Sequence, residues 1–107
     1  MPQPLSREPL TGEEIERRLA SGLEGWSSTE VPGKGRCLEK ELRFPDFVEA
    51  FSFMAGLALV AERLNHHPEW SNVYNRVHLV LSTHDAGGVT EYDFALAEAA
   101  ERLARRS

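Results

Sequence analysis

Five residues of this chain have the types and spacing to move protons: Glu62, His66, His67, His84 and Asp93. Three of them lie in the stretch "ERLNHHPEW", where a long apolar segment runs into Pro68. Histidine is scarce, four in 107 residues, so two side by side at a helix end need a reason. Imidazole, with a reference pKa of about 6.5, is the side chain best suited to give and take protons near neutrality. A carboxylate beside it can orient the ring and favour its charged form. Glu62 and His66 are four apart and share a helix face if the helix persists that far.

The same residues have plainer readings. His-His-Pro also serves as a polar exit from a helix, His84 before Asp85 can cap a loop, and Asp93 has the position of a capping residue. Three histidines and a carboxylate could bind zinc. Adjacent side chains on a helix diverge by about 100°, however, and helical zinc motifs place their ligands four apart. A chelating pair would need His66 and His67 outside the helix, so a metal site is not favoured.

The elements that must position these groups are legible from caps and periodicity. Thr11-Gly-Glu-Glu14 has the form of a capping box, followed by Ile15, Leu19, Ala20 and Leu23 at helical spacing, with an end near Gly22. "CLEKELRF" alternates Leu38, Leu42 and Phe44 against Glu39, Glu41 and Arg43, leaving Lys40 as one polar residue on the apolar side. This pattern predicts a half-buried strand, and with the upstream "GWSST" and "VPGKGR" it is expected to make a hairpin around Pro32-Gly-Lys-Gly35.

Asp46-x-x-Glu49 opens the strongest helix. Phe47, Phe51, Met54, Ala58 and Ala61 are expected on one face, with Phe53, Leu57, Val60 and Leu64 beside them. So wide an apolar face implies burial against a sheet and against a partner. Pro68 biases His67 away from helical angles, so this helix should end at the histidine pair. Two further strands are expected over 70–74 and 76–83, with a turn near Tyr74-Asn75. Thr90-x-x-Asp93 then caps a final helix whose Phe94, Ala97, Ala100 and Leu103 face inward. His78 should face away from Val77 and Leu79. The order α-β-β-α-β-β-α predicts an α+β domain, a four-stranded antiparallel sheet with three helices on one face.

Composition narrows the function classes. The chain has the size of a single domain, 1–107, with residues 1–10 expected to be flexible. A net charge of −5, with no basic run beyond Arg102…Arg105-Arg106, argues against nucleic-acid binding. Cys37 is the sole cysteine and suits a reducing compartment. The start "MPQPLSREPL" lacks a signal-peptide core, and the segment from Phe47 to Leu64 is too polar to span a membrane. A cytoplasmic location is expected.

The stretch from Ala50 to Leu103 resembles the pterin-4a-carbinolamine dehydratases. Glu62, His66-His67-Pro68, Tyr74, His84 and Asp93 match that family's pattern in register, and Gly25-Trp26 extends the likeness upstream. The resemblance implies that His66, His67 and His84 line a pterin pocket as catalytic residues, with Glu62, Asn65 and Asp93 at its edge and Trp26 near the ligand. Asn65 departs from the aspartate of animal relatives, which removes one negative charge beside the histidines. The implied reaction is loss of water from 4a-hydroxytetrahydrobiopterin in pterin recycling, downstream of an aromatic amino-acid hydroxylase. It implies no cofactor or metal, and a homodimer or homotetramer. Two other readings remain open here: a pterin-binding or regulatory module without this activity, and the same pocket serving a molybdopterin-related ligand.

Overall fold

The computed structural model describes residues 5–33 and 35–105. Residues 1–4 of the segment expected to be flexible, Lys34 of the hairpin turn and Arg106 of the basic tail lie outside the described residues. The elements are α1 (Gly12–Ala20), β1 (Ser27–Val31), β2 (Gly35–Arg43), α2 (Phe47–Leu64), β3 (Glu69–Val73), β4 (Arg76–Leu81) and α3 (Glu91–Arg105). The strands form one antiparallel sheet in the order β1-β2-β4-β3. Fold class and element order are those expected.

Local chemistry explains where α1 and α2 begin. The Thr11 hydroxyl oxygen accepts the Glu14 N–H at 3.1 Å, and Asp46 Oδ1 accepts the Glu49 N–H at 2.8 Å. Along β2, Leu38 and Leu42 point into the core opposite Leu81 and Val77 of β4. Lys40 shares that face opposite Leu79, yet it is not an error of patterning. Its ammonium donates to Glu101 Oε2 of α3 at 2.7 Å and to the Glu24 carbonyl at 3.0 Å. A charge on the apolar side is tolerated because a carboxylate from the covering helix meets it.

Two expectations need correction. The inner stripe of α2 is Ala50, Phe53, Leu57 and Ala61, with Met54, Val60 and Leu64 partly buried against the core. Phe47, Phe51 and Ala58 point outward instead, and the Phe47 and Phe51 rings lie 6.0 Å apart on the open side. This helix is apolar nearly all round, so periodicity could not choose its buried face. The second correction is at the last strand, which stops at Leu81 rather than 83. There the Thr83 N–H donates to the Gly88 carbonyl at 2.7 Å and turns the chain into a tight loop.

That loop is seated directly on the start of β2. Gly35 has φ +77°, and a Cβ there would overlap the Gly87 carbonyl oxygen. Only glycine lets the two backbones approach so closely in this conformation.

Candidate active site

The helix that carries Glu62 ends in a way that splits the two histidines. Asn65 adopts the left-handed conformation (φ 53°, ψ 45°) as the C-cap of α2, a conformation asparagine tolerates better than most residues. Its N–H donates to the Glu62 carbonyl at 3.1 Å, and the His66 N–H donates to the Ala61 carbonyl at 3.0 Å. The chain therefore leaves the helix axis at Asn65. His66 turns inward and is buried, while His67 stays exposed. Glu62 consequently pairs with His67, five residues on, at 2.9 Å, and not with His66 as four-residue helical spacing suggested.

His66 finds its carboxylate across the fold. Its Nε2 lies 2.6 Å from Oδ1 of Asp93, in the first turn of α3, and Asp93 is fully buried. The other oxygen, Oδ2, accepts the Thr83 hydroxyl at 2.8 Å and the Thr90 N–H at 2.9 Å. Thr83 and Thr90 hydroxyls are 2.7 Å apart, and the Thr90 hydroxyl oxygen accepts the Tyr92 N–H at 3.2 Å. With the Thr83 proton given to Asp93, the Thr90 hydroxyl must donate to Thr83. Every proton in the cluster then has an acceptor.

This arrangement sets the histidine tautomer. An ionised carboxylate only accepts hydrogen bonds, so His66 Nε2 carries the hydrogen that faces Asp93. Nδ1 is left as the nitrogen that can exchange a proton with a ligand. Asp93 thus does two jobs: it receives the Thr90 N–H as part of the helix cap, and it orients His66. Neither reading of Asp93 displaces the other.

His84 stands on a single 3-10 turn, His84–Ala86, inside the loop closed by Thr83 and Gly88, and is exposed. Arg7, Asn65, His66, His67, Ser82, His84 and Asp85 line one open cleft of about 260 Å³. The structure therefore brings His66, His67, His84 and Asn65 to one place, with Asp93 behind His66 and Glu62 beside His67. Trp26 is not among them. It is buried, its indole N–H donates to Glu101 at 2.9 Å, and it borders a separate hollow beside α1. Tyr74 is exposed in the β3–β4 turn, with φ 52°.

His78 projects from the outer face of the sheet, as expected, and its Nε2 lies 2.6 Å from Glu39. Arg7, Ser82 and Asp85 are cleft residues that the spacing of the sequence did not single out. For Ser82 and Asp85 the signal was adjacency to His84; for Arg7 there was none. Among the described residues, no group of three or more His, Cys, Asp or Glu side chains is arranged to hold a metal ion.

The fold is an α+β sheet domain with two histidine–carboxylate contacts, His66–Asp93 and His67–Glu62, gathered at one cleft. The match to known proteins is specific. Residues 8–103 match the family model described as pterin 4 alpha carbinolamine dehydratase, and the chain belongs to that family. A Rhizobium johnstonii protein with a provisional pterin-4-alpha-carbinolamine dehydratase name is 49% identical over 102 residues, covering 95% of this chain and 97% of that one. A Burkholderia ambifaria protein with the same provisional name is 56% identical over 89 residues, 83% of each chain.

Among solved structures, the transcriptional coactivator/pterin dehydratase from Brucella melitensis superposes with a TM-score of 0.81 at 43% identity. The match covers 91% of this chain and 99% of that one. A pterin dehydratase-like RuBisCO assembly factor of the alpha-carboxysome shares the fold alone, at 22% identity and a TM-score of 0.63 over 76% of this chain and 90% of its own.

Proposed function

We propose that this chain is a hydro-lyase that removes water from 4a-hydroxytetrahydrobiopterin, giving quinonoid dihydropterin, in pterin recycling behind an aromatic amino-acid hydroxylase. The observation that carries this reading is a single cleft with two imidazoles, each held by its own carboxylate, His66 by Asp93 and His67 by Glu62. A third imidazole, His84, lines the same cleft.

The reaction needs one proton delivered and one removed. An imidazolium protonates the hydroxyl on C4a, the C4a–O bond breaks, and water leaves. A neutral imidazole takes the proton from N5, and the electron pair of the N5–H bond becomes the second bond of C4a=N5. No electrons are gained or lost overall, so the chemistry asks for acid and base alone. The acid ends neutral and the base ends protonated, and exchange with water through the open cleft restores both. Histidines in differing surroundings can divide these roles in one site. Asn65 borders the same space and supplies neutral hydrogen-bonding groups to the pterin ring.

The working form is a homo-oligomer, a dimer or tetramer. The support is the outer side of α2, where Phe47, Val48, Phe51 and Leu59 are 48%, 68%, 58% and 74% exposed. Four large apolar side chains on the open side of one helix are more than single-residue scatter on a soluble surface. No helix among the described residues is long and apolar enough to cross a membrane.

A direct assay tests the activity: synthetic 4a-hydroxytetrahydropterin is mixed with the protein and its loss followed against the spontaneous rate. Acceleration is expected. Pterin binding without acceleration would leave a binding module and refute the dehydratase.

A further inference from the structure

The cleft has a cation at its rim that the histidine chemistry does not use. The backbone of the N-terminal segment is tied down where the Leu10 N–H donates to the Val89 carbonyl at 2.8 Å, just before α3. Three residues earlier, Arg7 lays its guanidinium over the Tyr92 ring, with Cζ 4.5 Å from the ring centroid. Tyr92 in turn packs against His66, ring centroids 5.7 Å apart. Arg7, Tyr92 and His66 thus form a chain of contacts, the two rings tilted by 46°, and Arg7 lines the histidine cleft.

The guanidinium makes no hydrogen bond or ion pair with any described residue, and it lies over the face of Tyr92. A cation over an aromatic face is held in place while its edge N–H groups remain available. Asp85 stands on the rim of the same cleft. One fixed donor group and one acceptor group on the same rim suit a flat heterocycle that has both an acceptor edge and a donor edge. A pterin is such a ring: its C4 carbonyl oxygen accepts, and its 2-amino group and N3–H donate.

We propose that Arg7 is a substrate-positioning residue, its guanidinium hydrogen-bonding the C4 carbonyl oxygen of the pterin while Tyr92 holds it at the mouth of the cleft. This rests on the pterin reading of the site. It assigns function to a residue just before the matched stretch, which begins at residue 8. The C4 carbonyl is present before and after water leaves, so the contact binds substrate and product alike. Such uniform binding lowers KM and leaves kcat alone.

The test compares wild type with Arg7→Ala, Arg7→Gln and Arg7→Lys. Kinetics are measured on 4a-hydroxytetrahydropterin, and binding by fluorescence titration with 7,8-dihydropterin, which lacks the 4a-hydroxyl. Arg7→Ala is expected to raise both KM and Kd roughly tenfold, the scale of one charge-assisted hydrogen bond, with kcat within about twofold. Arg7→Lys and Arg7→Gln should recover part of the loss. Arg7 is exposed, so an unchanged thermal midpoint is expected in all three. KM and Kd equal to wild type in Arg7→Ala would overturn the proposal, as would a fall in kcat at constant KM. A wild-type protein that neither binds nor dehydrates pterins removes the dehydratase reading and this one together; an active wild type with an indifferent Arg7→Ala removes this one alone.

Discussion

His66 Nε2 and Asp93 Oδ1 are 2.6 Å apart in the interior, although 27 residues separate them in the chain. The contact ties the exit of one helix to the entrance of another, and it commits Nε2 of His66 to the carboxylate, leaving Nδ1 as the other ring nitrogen.

The first prediction follows from that. Asp93→Asn keeps the shape but replaces a pure acceptor with an amide that can donate. Its NH2 can then donate to His66 Nε2, which shifts the ring hydrogen to Nδ1. A wrong tautomer at an otherwise intact site is costly, and kcat should fall by about 10²–10³-fold in the dehydration assay. Asp93→Ala also strands the Thr83 hydroxyl and Thr90 N–H, and should cost about 2–4 kcal/mol in chemical denaturation. A fully active Asp93→Asn would show that tautomer control at His66 is unimportant.

His67 and His84 are exposed, so alanine at either should spare the fold and strike the rate. Positioned proton transfer contributes on the order of 10²–10⁴-fold. A fall in that range is expected for each, with thermal midpoints unchanged. His78→Ala is the control. Its half-exposed pair with Glu39 lies on the outer face, so stability should move by no more than ~0.5 kcal/mol and the kinetics not at all. Wild-type rates in both His67→Ala and His84→Ala would end the acid/base reading.

The outward side of α2 gives a third prediction. Phe51→Glu combined with Leu59→Glu should convert the oligomer to a monomer in light scattering at micromolar concentration. Both side chains are already exposed in the single chain, so its fold should survive by circular dichroism. Wild type running as a monomer would refute the oligomer directly.

Activity should persist in excess chelator, with no stoichiometric metal by elemental analysis. His66 and His67 turn toward different carboxylates, and the elimination needs no Lewis acid. Tight zinc at one per chain, with activity lost on its removal, would contradict this.

Much of the fold was legible because its boundaries are written in short-range chemistry. Thr11, Asp46 and Pro68 mark helix ends by local hydrogen bonds and sterics, and the alternation of Leu38, Leu42 and Phe44 marks a strand face. The gathering of His66, His67 and His84 was implied by the family likeness. What stayed hidden was long-range or ambiguous. Lys40 finds Glu101 61 residues away, and no local pattern announces that pairing. Phe47 and Phe51 were misplaced because a helix apolar nearly all round carries little information about which side is buried. The pairing of His67 with Glu62 depended on a left-handed turn at Asn65, which spacing alone does not reveal. Arg7 lies in a segment read as a flexible tail, so nothing marked it as part of the cleft.

The seat of the Gly87 carbonyl against Gly35 couples the start of β2 to the loop that carries His84. A loop resting backbone to backbone on β2 leaves no room for a side chain at Gly35, so any substitution there should displace the turn that carries His84. Residue 35 does not line the cleft, yet a side chain there would reach the site through the loop from Thr83 to Gly88.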